Sequence, residues 1–246
     1  MIKILTSSPG GQYKENGKRI PCKLSKKNDF LDNLKKYWHE DSRCIIISSD
    51  PSDYEINDSI RDILRQSFHM SGLTLKECIV FDNRSDEKII EELNKFHVII
   101  LAGGHVPTQN TFFKRINLKV HIKTFKGIVI GISAGSMNAA NIVYAQPELE
   151  GESIDINYKR FIPGLGLTDI MIIPHYQDIK NEILDGKRVM EDIAYGDSYG
   201  NKFIALVDGS YIIIDEEKKT LYGEGYLIEN GNLIQINNRE EMVELK

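Results

Sequence analysis

The chain has few cysteines, no long apolar run and no excess of basic charge, and each shortage removes a class of protein. Cys22, Cys44 and Cys78 stand far apart among 246 residues, with no Cys-x-x-Cys pair. Three is too few, and an odd number, for a disulfide framework. Cys44 and Cys78 each open an apolar strand-like run and read as small buried hydrophobes. No stretch approaches the roughly 20 apolar residues of a membrane span. The N-terminal Met-Ile-Lys-Ile-Leu-Thr reads as a short strand and lacks the apolar core of a signal peptide. Lys and Arg number 31 against 36 Asp and Glu, a net charge of −5. Neutralising phosphates needs a basic face, so no nucleic-acid partner is expected. These features point to a cytoplasmic, membrane-free protein. Repeats, low-complexity segments and linkers are absent as well, so residues 1–246 are expected to form one α/β domain.

What is present is an alternation of two patterns. Short apolar runs at 3–7, 44–49, 78–81, 98–102 and 127–132 read as strands. Amphipathic segments at 30–39, 53–71, 85–96 and 108–120 read as helices between them. Within 85–96, Ser85 is placed to cap, and Ile89, Ile90 and Leu93 fall on one face. Continuous apolar strands separated by helices predict a mainly parallel sheet covered on both sides. From 203 to 236 the strands shorten, alternate and are broken by turns, which predicts an antiparallel β-meander closing the sheet. The polar stretch 10–18 reads as a surface loop.

In such a sheet, ligands gather at the carboxyl ends of the strands. Gly131-Ile132-Ser133-Ala134-Gly135 follows the strand 127–132 and precedes a small-residue helical stretch at 136–141. Strand, turn and helix in that order make a nucleophile elbow, which pushes the Ser133 hydroxyl outward beside a helix N-terminus. The Ala134 amide is then a natural oxyanion donor. Gly103-Gly104-His105 follows the strand 98–102, and its paired glycines suit the second half of an oxyanion hole, with His105 shaping the pocket. A serine nucleophile needs a base. Of the six histidines, only His105 and His175 lie at carboxyl ends of strands; His175, just past the run 170–173, is the candidate. The base needs a carboxylate to orient it. Glu148 and Glu150 lie between Ser133 and His175 in chain order, and periodicity does not choose between them. Asp178 follows His175 by three positions without a further histidine cluster, so no metal site is expected.

Together these residues resemble the dipeptidase E (aspartyl dipeptidase) and cyanophycinase family of serine peptidases. That family has the flavodoxin-like fold of the class I glutamine amidotransferase-like superfamily. The resemblance runs from the first strand to about Tyr222. It implies Ser133 as nucleophile, His175 as base and the Gly104 and Ala134 amides as oxyanion hole. Counting from the serine it puts the acid at Glu148, and counting from the histidine nearer Glu150. It also implies a substrate-binding place for Gly103 and His105, and for Asp208, in a segment that otherwise reads as a hairpin turn. The implied activity is cofactor-free hydrolysis of dipeptides or short peptides, acidic or isoaspartyl-linked, by a monomer or homodimer. Two departures separate the chain from the dipeptidases. It has Ala102-Gly103-Gly104-His105-Val106 for Gly-Gly-Gly-Asn-Thr, and Glu148 for Asp. Specificity for an amino-terminal Asp therefore does not carry over. A glutamine amidotransferase is opposed by Ser133 at the elbow and by Gln177 two residues after the histidine. A serine esterase and an inactive anion-binding protein are the remaining alternatives.

Overall fold

The computed structural model describes residues 1–245. The chain opens with β1 (Ile2–Thr6), a hairpin of β2 (Gly10–Glu15) and β3 (Lys18–Leu24), and helix α1 (Phe30–Lys35). Strands β4 (Ser42–Ile47), β5 (Leu75–Phe81) and β6 (Val98–Leu101) follow, separated by α2 (Tyr54–Met70) and α3 (Lys88–Glu91). Then come α4 (Val106–Arg115), α5 (Leu118–His121), β7 (Ile128–Ile132) and α6 (Ala134–Asn138). A small hairpin, β8 (Ile142–Tyr144) with β9 (Phe161–Pro163), precedes β10 (Met171–Ile173) and α7 (Tyr176–Ile179). A second small hairpin pairs β11 (Ile183–Leu184) with β12 (Lys187–Arg188). Strands β13 (Lys202–Leu206), β14 (Tyr211–Asp215), β15 (Lys218–Tyr222), β16 (Gly225–Glu229), β17 (Asn232–Asn237) and β18 (Met242–Leu245) complete the described chain.

The main sheet has the order β18-β15-β14-β1-β7-β6-β4-β5. β1, β7, β6, β4 and β5 run parallel, while β14, β15 and β18 are added antiparallel beyond β1. The period of two along each strand sorts its side chains to opposite faces. Ile45, Ile47, Ile99, Leu101 and Val129 meet Phe112, Phe113 and Leu118 on one side. Ile46, Ile100 and Ile130 meet Phe30, Leu64 and Phe68 on the other. Val98 to Leu101 and Cys44 to Ile47 are wholly buried, which is why these runs are apolar throughout. Burying each such side chain contributes about 1.5–3 kcal/mol. Helix α2 forms where the sequence predicts it. The Asp53 carboxylate accepts from the Ile56 N–H as cap, and Ile63, Leu64, Ser67 and Phe68 face the sheet.

Three local expectations are corrected. The polar stretch 10–18 is not a loop: it forms most of the β2–β3 hairpin, turned at Asn16-Gly17, both of positive φ. The segment 85–96 is broken into α3 and a 3-10 turn, and the Ser85 hydroxyl accepts from the Asp82 N–H instead of capping a long helix. The C-terminal strands are antiparallel among themselves but do not form one meander. β14, β15 and β18 extend the main sheet, whereas β13, β16 and β17 join β10 in a separate sheet of order β10-β13-β16-β17. In that sheet β13 runs parallel to β10, with Ile173 opposite Ala205. Stacked Tyr144 and Phe203 rings, with Ile173 and Met190, form its core.

Candidate active site

β7 lies between β6 and β1, with Gly131 opposite both Leu101 and Leu5. The carboxyl ends of these three strands therefore present Gly103-Gly104, Ser133 and Ser7 side by side. Ser133 takes φ +49° and ψ −114°, a conformation rare for residues with a side chain, and it starts α6. Its N–H donates to the Thr6 carbonyl at 2.9 Å, and the Ser136 hydroxyl donates to the same oxygen at 2.9 Å. A Cβ on Gly135 would collide with the Leu101 carbonyl, so only glycine lets α6 leave the sheet so closely. On the other flank Gly103 packs against Ser133: a Cβ there would stand 3.4 Å from the serine Cβ. Among the described residues, the Gly104 and Ala134 N–H groups have no hydrogen-bond partner.

The smaller sheet supplies the other two groups. His175 follows β10 and Asp208 follows β13, and the parallel pairing of these strands brings the two side chains together. His175 Nε2 lies 3.0 Å from Ser133 Oγ, and His175 Nδ1 lies 2.8 Å from Asp208 Oδ1. A carboxylate only accepts, so the Nδ1 proton is donated to Asp208 and Nε2 is left as acceptor for the serine O–H. The hydrogen bond to Asp208 raises the His175 pKa above its ordinary value, against the opposing pull of burial. Burial works to raise the Asp208 carboxyl, but hydrogen bonds from His175 and Ser7 outweigh it and hold the group below the usual range. The His175 and Asp208 side chains remain 36% and 43% exposed, so solvent weakens this ion pair.

Ser7 and Gln177 brace the pair. The buried Ser7 hydroxyl donates to Asp208 Oδ1 at 2.6 Å and accepts from the His175 backbone N–H at 2.8 Å. Gln177 Oε1 accepts from the Asp208 backbone N–H at 2.9 Å. Sequence reasoning misses both roles. The one signal for Ser7 is a hydroxyl residue at the carboxyl end of the first strand.

The expected acids stand elsewhere. Neither Glu148 nor Glu150 hydrogen-bonds His175; the carboxylate on Nδ1 is Asp208, which the sequence places in substrate binding or a turn. The loop after β8 is folded around a different carboxylate, Glu152. Glu152 accepts from the Glu148 and Leu149 N–H groups at 2.9 and 3.0 Å and pairs with His105 Nε2 at 2.8 Å. His105 also meets Thr108, so its ring ties the Gly103-Gly104 loop to this one. Glu150 is exposed. Glu148 reaches solvent, yet the surrounding wall and the Glu152 carboxylate push its carboxyl up to about 7, with His175 pulling the other way. Glu148 thus borders the site without orienting the imidazole. A group of potential metal donors, His175, Asp178 and Asp208, has ligand atoms within 4.8 Å of one another. Each is already engaged: Asp178 accepts from Gln177, and Asp208 from Ser7 and His175. Among the described residues, no helix is long and apolar enough to cross a membrane.

A serine on a strained strand–helix turn, hydrogen-bonded to a histidine that is hydrogen-bonded to a carboxylate, is an arrangement for acyl transfer. Comparison with known proteins agrees. The family model for peptidase family S51 matches residues 51–222. Among solved structures, the fold is similar to that of a candidate peptidase E from Listeria monocytogenes EGD-e. The TM-score is 0.59 at 16% identity, over 96% of this chain and 98% of that one. No curated protein matches. The chain belongs to peptidase family S51, the dipeptidase E family, and is a serine peptidase.

Proposed function

We propose that the chain hydrolyses dipeptides or short peptides through a Ser133–His175–Asp208 triad. The observation that carries this reading is the unbroken hydrogen-bond chain from Ser133 Oγ through both imidazole nitrogens to Asp208. Ser133 Oγ attacks the scissile carbonyl carbon while Nε2 takes its proton. The imidazolium that forms lies against the Asp208 carboxylate, which stabilises its charge and fixes its tautomer. The Gly104 and Ala134 N–H groups are free to receive the developing oxyanion. His175 then passes its proton to the leaving amine, and water repeats the sequence on the acyl-enzyme. Gly103 lines the nucleophile, and His105 acts through Glu152 to hold the loop that carries Glu148 at the rim.

The test is turnover of a pooled dipeptide and isopeptide library followed by mass spectrometry, with wild type beside Ser133→Ala. Loss of particular members with wild type alone is expected, and names the substrate class. Turnover retained in Ser133→Ala would remove the nucleophile assignment.

A further inference from the structure

A pair of free cysteines lies at the far edge of the main sheet. Cys44 on β4 and Cys78 on β5 are paired in register. Residues so paired point to the same face, and here both thiols lie on the α2 side. Cys44 is wholly buried beside Leu64 and Phe68, and Cys78 packs on the same cluster while keeping partial exposure. A cleft of about 530 Å³ opens over Cys78, with Arg61, Arg65 and Arg84 in its wall. Arg61 and Arg84 are held in ion pairs with Asp58, Asp62 and Asp82, whereas Arg65 makes none among the described residues. The two thiols differ in character. The neighbouring Cys44 thiol and the charges of Arg65 and Arg61 hold Cys78 below the ordinary thiol value against burial. Burial drives Cys44 well above it. A reachable thiol with a lowered pKa thus sits beside a sheltered one, while Cys22 has no cysteine neighbour in its strand pair.

We propose that Cys78 is a peroxide-reactive thiol and Cys44 its resolving partner, closing a reversible cross-strand disulfide. The Cys78 thiolate attacks one oxygen of a hydroperoxide and the O–O bond breaks. This leaves a sulfenic acid on Cys78 and, after protonation, an alcohol or water. The Cys44 sulfur then attacks the sulfenic sulfur and gives up its proton, the S–O bond breaks, and water leaves. Two thiols and one hydroperoxide become a disulfide, an alcohol (water when the oxidant is hydrogen peroxide) and water. Neighbouring strands lie about 4.8 Å apart. That satisfies the Cα separation of a disulfide but exceeds the usual Cβ separation of about 3.5–4.5 Å. The strands must pinch to close the bond, and a strained disulfide is easily reduced again by a dithiol.

The experiment exposes the full-length protein to a small excess of hydrogen peroxide, alkylates the remaining thiols and maps the peptides by mass spectrometry. A Cys44–Cys78 linkage with Cys22 still alkylated, reversed by dithiothreitol, is expected. With dimedone present, Cys44→Ser should carry the adduct on Cys78, and Cys78→Ser should lose at least tenfold of the labelling without moving it to Cys44. Arg65→Gln should slow Cys78 oxidation about threefold to tenfold. Faster oxidation of Cys22, a Cys44→Ser protein without adduct on Cys78, or no linkage in wild type would each overturn the proposal. The wild-type map stands even if a variant folds poorly.

Discussion

Replacing Asp208 with asparagine changes one charge and almost no volume, and it separates the carboxylate on the imidazole from those on the neighbouring loop. Asp208 accepts the Nδ1 proton at 2.8 Å, and that bond is the largest cause of the raised His175 pKa. A charge-assisted hydrogen bond contributes about 1.5–3 kcal/mol, and the side chains' exposure places the ground-state value at the lower end. The pair tightens when the imidazole becomes charged, so the loss is larger in the transition state. The amide introduced by Asp208→Asn can also donate to Nδ1 and so favour the wrong imidazole tautomer. The expected result is a fall in kcat of about 100- to 10,000-fold, with KM changed less than about threefold. The His175 pKa should drop toward 6.5, its ordinary value, in an NMR titration. Glu148→Gln, measured beside it, should lose less than about tenfold, because Glu148 does not touch the imidazole. A near-normal kcat in Asp208→Asn with collapse in Glu148→Gln would refute the assignment of the acid. An unmoved His175 pKa would refute its physical basis.

The remaining predictions concern pH and packing. The base acts when neutral, so kcat/KM should rise through a midpoint above 6.5 set by the raised His175, and Glu148→Gln should remove any second inflection near 7. The same pair should stabilise the fold between the lowered Asp208 value and the raised His175 value, fading as pH falls through the first or rises through the second; urea melts of wild type and Asp208→Asn across pH would show the difference closing at both ends. Ser7→Ala removes a hydroxyl bonded to both His175 and Asp208, and kcat should fall about tenfold at constant KM, with Ser7→Thr less impaired in a steady-state assay. Gly135→Ala forces a Cβ onto the Leu101 carbonyl and should cost about 1–3 kcal/mol in denaturant titration; an unchanged midpoint would mean that the elbow relaxes freely.

Ser133, His175 and the Gly103-Gly104 loop are legible in the sequence because each follows an apolar strand directly and carries its own local signature. Asp208 is not. Its neighbourhood, Val-Asp-Gly-Ser, reads as a turn, and its role depends on β13 lying parallel to β10, a pairing between strands about thirty residues apart in the chain. Local patterns do not report such pairings, so chain order draws attention to Glu148 and Glu150 instead. Ser7 is hidden for the same reason. It directly follows the first strand, yet hydrogen-bonds groups 168 and 201 positions away. The inner parallel strands β4, β6 and β7 are readable because burial on both faces makes them continuous apolar runs. The polar hairpin β2–β3 alternates too weakly to be distinguished from a loop.

The division of the site between two sheets has a mechanical consequence. Ser133, the proposed nucleophile, follows a strand of the larger sheet, while His175 and Asp208, the proposed base and acid, follow strands of the smaller one. A slight slide of one sheet past the other would lengthen the Ser133–His175 contact and leave the His175–Asp208 contact intact. Ser7 belongs to the larger sheet but grips both groups on the smaller one. It therefore acts as a rivet against shear, and the alignment of nucleophile and base is only as stiff as that single hydroxyl and the packing around it.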